Sequence, residues 1–436
     1  MVSVNTHKSD IKTPCPALMI AAPSSGSGKT TLTAGLAWHH RRQGRRVKIF
    51  KCGPDFIDPM LLTVASGSSV DNLDLWMVGE DLCRQHLYEA ACQYDLILIE
   101  AVMGLFDGEP SAAHLALRFG LPVLAMIDAS AMAQTFAALA FGLKHYEPKL
   151  NFFGAVANKV AGAGHAHLLE SCMPPDTWLG WLPQVDPWPE RHLGLALPHE
   201  LPDLEQRLDQ LADMISEHAM AKLPPSVEFE PVSCPVLPTL LQGRRVAIAR
   251  DAAFCFIYPA NLTCLQALGA ELLYFSPTAH DPLPDADALW LPGGYPELHA
   301  QALSTHPTLA NELHTWRAAG KPILAECGGM LVLAETLSLS DGSCLPMWGL
   351  LAAKAIMNTR LSAVGPQAVD LGLGPLRGHT FHYSTLDTSL PPATWATSSH
   401  SVRRGEAVYR DGSLTASYVH LWFSSHPAAT AALLGA

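Results

Sequence analysis

The sequence predicts an α/β fold in which two units, each built on a largely parallel sheet, follow one another along the chain. Three observations predict it. Short apolar runs alternate with helical stretches in both halves, a glycine-containing loop follows the first run and opens a helix, and a late cysteine stands at a sharp strand-to-helix turn. Alternation of strands and helices is typical of sheets whose strands run parallel.

The apolar runs mark the expected strands. They are residues 17–22, 47–51, 96–100, 123–127 and 153–157 in the first half, and 245–249, 271–275, 288–291, 322–325, 406–410 and 414–419 in the second, with a helix at 309–319. Between the halves, residues 222–238 contain five prolines, which break helices. The sequence therefore predicts a disordered leader at 1–16, a first domain at 17–221, a linker at 222–243 and a second domain at 244–436.

Composition narrows the class of protein. The 436 residues carry a formal net charge of −12 and ten scattered cysteines. An acidic chain lacks the basic surface that nucleic-acid phosphates require, and no apolar run reaches the ~18 residues of a membrane span. The cysteines lack zinc-site spacing and are typical of a reducing cytoplasm. We therefore expect a cytoplasmic protein without nucleic-acid or membrane partners.

The loop at 21–31 has the context of a phosphate-binding P-loop, because it follows an apolar strand and opens a helix. Its backbone N–H groups would face phosphate oxygens, Lys29 would reach the β and γ phosphates, and Thr30 would offer its hydroxyl to Mg²⁺. Pro23 replaces the usual first glycine, and Ser24 stands where partitioning ATPases carry a lysine. The predicted ATP-binding residues of this loop are Ser25, Gly26, Ser27, Gly28, Lys29, Thr30 and Thr31.

Acidic residues follow two of the predicted strands. Asp55 and Asp58 come after the second run, Glu100 ends the third, and Asp107 lies in the next turn. Open parallel sheets bind ligands at the carboxyl ends of their strands. We expect Thr30, Asp55 and Glu100 to hold Mg²⁺, and Asp55, Asp58 and Asp107 to position a substrate or its phosphorylated intermediate. For Asp58 or Asp107 alone, a helix-cap or turn role is the alternative.

Asn158 ends the run at 153–157. Its amide could bind the adenine edge of ATP, and a simple turn is the alternative. It completes the predicted ATP site.

The segment 323–332 indicates a nucleophile elbow: a strand, a sharp turn at Cys327 and a helix. The N-terminus of the helix is expected to lower the pKa of the thiol. The N–H groups of Gly328 and of Gly294, in the turn at 292–297, would form an oxyanion hole. Because Cys327 stands at the elbow, we favour a nucleophile over a buried structural cysteine.

Two histidines near the C-terminus compete as the base for Cys327. His426 precedes a proline, as in many glutamine amidotransferases, but Ala428 replaces the glutamate of that pattern. His420 directly follows the last strand-like run and is favoured. No third acidic member is evident, so the expected site is a Cys–His dyad.

Together these motifs resemble the cobyrinic acid and hydrogenobyrinic acid a,c-diamide synthase family. The resemblance spans about residue 17 to the C-terminus and is carried by residues 24–31, 51–59, 102–108, 292–297, 325–329, 378–384 and 417–420. It implies a P-loop NTPase domain like that of dethiobiotin synthetase, followed by a class-I-type glutamine amidotransferase domain. It also implies amidation of the c and then the a carboxylate of a corrin, using glutamine and MgATP, with Cys327 as nucleophile and His420 raising its nucleophilicity.

The resemblance leaves several points open. If the amidated substrate is another tetrapyrrole, the chain is a cobyric acid synthase or a nickel-sirohydrochlorin diamide synthase. The alternative that is not an enzyme is a nucleotide-switched scaffold with an inactive amidotransferase domain. His379 and His382, in the motif at 378–384, are structural or line a domain interface. The expected partners are the corrin acid, glutamine and ATP, with a homodimer as the candidate assembly.

Overall fold

The structure is a computed structural model that describes residues 12–186, 188–191, 194–195, 197–233, 236–306, 308–399 and 404–436. The chain divides into two compact units, unit 1 at Met1–Cys234 and unit 2 at Pro235–Ala436. Residues 1–11 of the expected leader lie outside the described residues.

Unit 1 alternates strands and helices as predicted. Its strands are β1 Thr13–Ala21, β2 Val47–Cys52, β3 Asp71–Leu73, β4 Leu96–Glu100, β5 Val123–Asp128, β6 Phe152–Val160, β7 Trp178–Pro183, β8 Glu190–Arg191, β9 Gly194–Leu195 and β10 Ser226–Phe229. Its helices are α1 Lys29–Arg42, α2 Asp58–Ser66, α3 Glu80–Gln93, α4 Ala112–Phe119, α5 Thr135–His145, α6 Ala163–Glu170 and α7 Leu204–Ser216. Each apolar run predicted in this half forms a strand.

The main sheet of unit 1 has the strand order β3-β2-β4-β1-β5-β6-β7, and all these neighbours pair in parallel. Its central strands are buried along nearly their whole length, which explains the continuous apolar runs of the sequence. Because β4 lies between β2 and β1, the residues that follow these three strands meet at one edge of the sheet.

The expected leader and linker both contribute to the fold. β1 begins at Thr13, inside the predicted leader, and β10 lies inside the predicted linker. The two segments pair antiparallel, with Cys15 opposite Val227. The prediction that these residues lack regular structure is therefore wrong for 13–16 and 226–229. Proline-rich sequence is compatible with a strand wherever the missing N–H would not face the partner strand.

Unit 2 has more strands than helices. Its strands are β11 Arg245–Ala249, β12 Glu271–Phe275, β13 Ala288–Leu291, β14 Ile323–Glu326, β15 Thr336–Ser338, β16 Cys344–Pro346, β17 Ala353–Met357, β18 Ala363–Asp370, β19 Pro375–His382, β20 Ser384–Thr388, β21 Thr394–Ser398, β22 Arg404–Asp411, β23 Leu414–Ser417 and β24 His420–Leu421. Its helices are α8 Pro259–Ala267, α9 Ala300–Ser304, α10 Leu309–Ala318, α11 Gly328–Leu331 and α12 Pro427–Leu433.

The long sheet of unit 2 has the order β12-β11-β13-β14-β23-β22-β21-β18-β19-β24. Strands β12 to β23 in this order pair in parallel, and the remaining neighbours are antiparallel. Two buried apolar clusters form the core of this unit. The sheet places the end of β14, where Cys327 follows, beside the end of β23, which leads to His420.

Candidate active sites

The phosphate loop, residues 23–28, joins β1 to α1. Its tip, Ser25 and Gly26, is exposed, whereas Ser27 is buried. The Asn158 side chain at the end of β6 donates from Nδ2 to the Ser27 carbonyl oxygen at 2.9 Å. Gly28 has a φ of 98°, and a Cβ at this position would overlap the Asn158 amide. Only glycine fits there without strain, so Asn158 and Gly28 together define the shape of the loop.

Lys29 begins α1 and is buried, with 8% of its surface exposed. Its Nζ donates to the Ser24 carbonyl oxygen at 3.1 Å and to the Met103 carbonyl oxygen at 2.6 Å. Burial and the nearby Lys51 ammonium lower the pKa of Lys29. Because both acceptors are neutral carbonyls, a phosphate oxygen would be a stronger partner for this ammonium.

Lys51, the penultimate residue of β2, lies at the centre of three carboxylates. Its Nζ is 2.7 Å from Glu100 Oε1, 2.5 Å from Asp58 Oδ2 and 3.3 Å from Asp55 Oδ2. Burial alone would lower the pKa of Lys51, but the three carboxylates raise it well above its ordinary value. This ammonium, which sequence reasoning did not select, neutralises part of the charge at the sheet edge.

Glu100, the last residue of β4, is fully buried. Its Oε1 accepts a hydrogen bond from Thr30 Oγ1 at 2.7 Å, and its Oε2 is buried without a hydrogen-bond partner. Burial raises the pKa of Glu100 although Lys51 opposes the shift. A buried oxygen without a partner, beside a hydroxyl, fits a divalent cation.

The two aspartates near Lys51 differ in their proton affinity. Burial, together with the neighbouring Asp58 carboxylate, raises the pKa of Asp55 to about 7. Burial would also raise the pKa of Asp58, but Lys51 holds it below its usual value. Asp55 additionally caps the start of α2, because its Oδ1 accepts the N–H groups of Ile57 and Asp58 at 2.8 and 3.2 Å.

The predicted Mg²⁺ ligands Thr30, Asp55 and Glu100 thus lie around one point, with Lys51 between the carboxylates. Within the described ranges, no group of three or more His, Cys, Asp or Glu side chains is arranged to hold a metal by itself. Magnesium commonly binds through one or two carboxylates and the phosphates of its nucleotide. The donor set therefore fits Mg²⁺ that arrives with a nucleotide.

Two other predicted residues, Asp107 and Thr31, lie apart from the Lys51 cluster in their hydrogen bonds. Asp107 is exposed, and its Oδ2 accepts the Gly104 N–H at 2.9 Å, as a turn residue does. The Thr31 hydroxyl accepts from Trp188 Nε1 at 3.1 Å and lines a cavity of about 350 Å³. The cavity is also lined by Trp188 and by Arg207 of α7.

In unit 2, Cys327 lies between β14 and α11 with φ 46° and ψ −109°. A non-glycine residue with positive φ is strained. Cys327 is only 6% exposed, and burial raises the pKa of its thiol although the Gly328 N–H opposes the shift. The expectation of a lowered thiol pKa is therefore wrong. The helix that follows has four residues, and desolvation of the thiolate outweighs its dipole.

The predicted oxyanion donors lie close together. A Cβ placed on Gly328 would lie 3.0 Å from the Gly294 backbone nitrogen, so the two residues that carry the predicted donors lie against each other. Gly293 is the point of contact with the base. A Cβ there would overlap His420 Cε1 and lie 3.4 Å from Cys327 Cβ. Glycine at 293 therefore leaves room for imidazole and thiol to approach each other.

His420 begins β24 and is 2% exposed. Burial, with His379 and His382 nearby, lowers the pKa of His420 well below its ordinary value, so the imidazole is neutral at neutral pH. His379 pairs with His420 across β19 and β24, and their rings stack at 5.1 Å and 20°. A neutral imidazole beside a thiol can accept its proton.

Comparison with known proteins is consistent with both sites. Residues 18–184 match the CobQ/CobB/MinD/ParA nucleotide-binding domain, and residues 245–428 match the CobB/CobQ-like glutamine amidotransferase domain. The chain is 56% identical to the hydrogenobyrinate a,c-diamide synthase of Stutzerimonas stutzeri, over 96% of this chain and 98% of the relative. It belongs to the hydrogenobyrinate and cobyrinate a,c-diamide synthase family.

Other members of this family are also similar over nearly their full length. A hydrogenobyrinate a,c-diamide synthase of Pseudomonas aeruginosa is 52% identical over 96% of this chain and 97% of the relative. A cobyrinate a,c-diamide synthase of Herminiimonas arsenicoxydans is 46% identical over 95% of each chain. The predicted succession of a P-loop unit and an amidotransferase unit is confirmed, and no helix in the described part of the chain is long and apolar enough to cross a membrane.

Two other histidines that the sequence singled out, His426 and His382, have other contacts. His426 caps α12, since its Nδ1 accepts the Ala429 N–H at 3.1 Å. His382 contacts Glu406 Oε1 at 3.1 Å and stacks on Tyr418 at 3.6 Å. The geometry therefore favours His420 over His426 as the partner of Cys327.

Two residues near these sites were not predicted from the sequence: Lys51, and Glu326, which precedes Cys327. Each carried a usable signal, because a charged residue stands at the end of a buried apolar strand, where an unpaired charge would be costly. His379 was singled out with its role left open, and its pairing with His420 could be identified only from the tertiary structure.

Proposed function

We propose that this chain amidates the a and c carboxylates of cobyrinate or hydrogenobyrinate with ammonia from glutamine, driven by ATP, in cobalamin biosynthesis. The observation that carries the proposal is the presence, in one chain, of a Lys29–Lys51–carboxylate site and of a Cys327–His420 site. The full-length similarity to hydrogenobyrinate and cobyrinate a,c-diamide synthases supports one of these two acids as the substrate that is amidated.

Glutamine hydrolysis takes place at Cys327. Both the thiol and the His420 imidazole are neutral in the site, so proton transfer to His420 accompanies attack of sulfur on the glutamine amide carbon. The imidazolium then gives this proton to the leaving nitrogen, and ammonia departs. Water, deprotonated by His420, hydrolyses the γ-glutamyl thioester and releases glutamate.

The oxyanion of each tetrahedral intermediate accepts hydrogen bonds from the Gly328 and Gly294 N–H groups. Their proximity supports this role, since donors fixed before the reaction stabilise charge as it develops.

Carboxylate activation takes place at the sheet edge of unit 1. Ser25, Gly26, Ser27 and Gly28 hold the phosphates through backbone N–H groups, and Lys29 binds the β and γ phosphates. Mg²⁺, held by Thr30, Asp55 and Glu100, would neutralise phosphate charge. Lys51 compensates the charge of the carboxylates.

The acceptor carboxylate attacks the γ-phosphorus of ATP, so that ADP leaves and an acyl phosphate forms. Ammonia then attacks the acyl carbon, phosphate leaves, and loss of a proton from nitrogen gives the amide. Asp55, Asp58 and Asp107 position the acyl phosphate. Asn158 supports the phosphate loop through Ser27, and its contact with the adenine edge stays a prediction, while Thr31 lines the neighbouring cavity.

We also propose that the chain acts in the cytoplasm. Nine cysteines of the described chain are free, as in a reducing compartment. The homodimer stays a prediction, which sedimentation of the purified protein tests.

The experiment that tests the proposal offers the purified chain cobyrinate and hydrogenobyrinate separately, each with glutamine and MgATP. Mass spectrometry counts the amides. We expect one of the two acids to gain two amides, with glutamate, ADP and phosphate formed in step. Amidation of neither acid, or addition of more than two amides, would contradict the proposal. The second outcome would favour the cobyric acid synthase alternative.

A further inference from the structure

Glu326 is a buried carboxylic residue that the proposed chemistry does not use. It is the last residue of β14, directly before Cys327, and only 2% of it is exposed. Burial raises its pKa to about 8 although two hydrogen bonds oppose the shift. Burying a carboxyl group costs free energy that hydrogen bonds must offset, so its contacts indicate what it does.

Both carboxyl oxygens of Glu326 accept hydrogen bonds. Oε1 accepts the Leu421 N–H at 3.0 Å, and Oε2 accepts the Trp290 indole N–H at 3.1 Å. Leu421 directly follows His420 in β24, and Trp290 lies in β13. The first bond therefore links the residue before the nucleophile to the residue after the base.

This link stands where the backbone ladder ends. β14 and β23 pair only as far as Glu326 and Ser417, and the Cys327 N–H donates to the Ser417 carbonyl oxygen at 2.8 Å. Beyond Ser417 the chain leaves β14, and His420 and Leu421 pair with β19. The Glu326 side chain thus connects the end of β14 to β24, beyond the point where strand pairing stops.

The opposite side of β24 has its own support. The Asn261 side chain donates to the Leu421 carbonyl oxygen at 2.8 Å and accepts the Phe423 N–H at 2.9 Å. These bonds and the pairing with β19 fix the segment to α8 and β19. The bond to Glu326 fixes it to the elbow.

We propose that Glu326 is a positioning residue for glutamine hydrolysis, which sets the distance between His420 and Cys327 by accepting the Leu421 N–H. This inference rests on the proposed function of Cys327 and His420. It adds an acidic residue to the expected Cys–His dyad, one that acts through the backbone of the base and not through its imidazole.

The test replaces Glu326 by Met, which keeps the length of the side chain and removes both acceptors. We expect kcat for glutamine hydrolysis to fall about 10²-fold, since misplacing a catalytic group by ~1 Å costs this much. KM for glutamine should change less than about threefold, because the substrate contacts remain. Amidation driven by ammonium chloride should be unchanged. Trp290→Phe, which removes the indole donor and part of a buried ring but leaves the Leu421 N–H bond to Glu326, is the matched control and should keep kcat near that of the parent protein.

A rescue separates positioning from general support of the fold. Glu326→Gln alone turns an amide NH₂ toward Leu421 N–H or Trp290 N–H, which are both donors. Combined with Trp290→Phe, the glutamine oxygen can accept the Leu421 N–H without this conflict. We expect the double variant to recover kcat to within about threefold of Trp290→Phe alone.

Three outcomes would overturn the inference. These are parental kcat in Glu326→Met, a double variant as slow as Glu326→Met, or a glutamine KM that accounts for the whole loss. If Glu326→Met does not fold, judged by circular dichroism, the double variant decides by itself. If the unmodified chain does not hydrolyse glutamine, both the proposed function and this inference fail, whereas normal hydrolysis in Glu326→Met refutes the inference alone.

Discussion

At the scale of single residues, the chemistry of unit 1 depends on one buried ammonium. Lys51 is 3% exposed and contacts Asp55, Asp58 and Glu100. Three carboxylates without a cation would repel each other and would take up protons. Lys51 therefore keeps a site of high negative charge folded before any Mg²⁺ or nucleotide binds.

Replacement of Lys51 by Met should destabilise unit 1 by about 3 kcal/mol, because it leaves the buried Glu100 carboxylate and two partly buried aspartates without their partner. Urea denaturation followed by circular dichroism measures the loss. Lys48→Met is the matched control, since Lys48 is also buried, with 6% exposed, but pairs with a single carboxylate, Asp71. Equal losses in the two variants would mean that the carboxylate cluster is not what Lys51 stabilises.

Glu326 should make the stability of unit 2 depend on pH. Its folded pKa is about 8, raised by burial above the unfolded value of about 4.3. Between these values the folded state binds more protons, so stability falls as the pH rises, by up to about 1.4 kcal/mol per pH unit. The difference in unfolding free energy between Trp290→Phe and Glu326→Gln/Trp290→Phe should therefore shift between pH 5 and pH 8. A constant difference would contradict the raised pKa.

The residue scale also shows where sequence reasoning stops. Lys29, Glu100, Cys327 and His420 were predicted because each stands at a position in the chain that a motif defines. Lys51 was not, because its role follows from carboxylates that approach it only when β2 and β4 pair. The direction of a pKa shift could not be predicted from the sequence either, because burial of the group is a property of the tertiary structure.

At the scale of elements, the elbow between β14 and α11 stores backbone strain. Cys327 adopts a φ of 46°, which glycine adopts without strain. Cys327→Gly should consequently be more stable than Cys327→Ala by about 1 kcal/mol, although glycine usually destabilises. Urea denaturation of the two inactive variants, side by side, measures this. Greater stability of Cys327→Ala would show that the turn is relaxed.

Strands were predicted better than the segments between them. The central strands are buried on both faces and so have continuous apolar runs, such as residues 96–100. β10 has no such run, because three of its four residues are exposed or partly exposed. Its five-proline neighbourhood predicts a linker, and only its pairing with β1 reveals a strand.

At the scale of the whole molecule, each unit places its reactive groups beyond the carboxyl ends of parallel strands. In unit 1 these strands are β1, β2 and β4, and in unit 2 the predicted nucleophile, Cys327, follows β14. The order of the two units could be predicted from the P-loop and the cysteine elbow, because each of these motifs requires its own sheet. The identity of the acceptor could not, since no short motif describes a macrocycle, and it rests on similarity along the entire chain.

The central claim is that ammonia made at Cys327 is consumed at the ATP-dependent site of unit 1. Cys327→Ala tests it most directly, with Cys264→Ala, another buried cysteine of unit 2, as control. We measure diamide formation with MgATP and either glutamine or ammonium chloride. Cys327→Ala should lose at least about 10³-fold of the glutamine-driven rate and keep the ammonium-driven rate, while the control keeps both. Unchanged synthesis from glutamine in Cys327→Ala, or loss of synthesis from ammonium in a folded protein, would contradict the account.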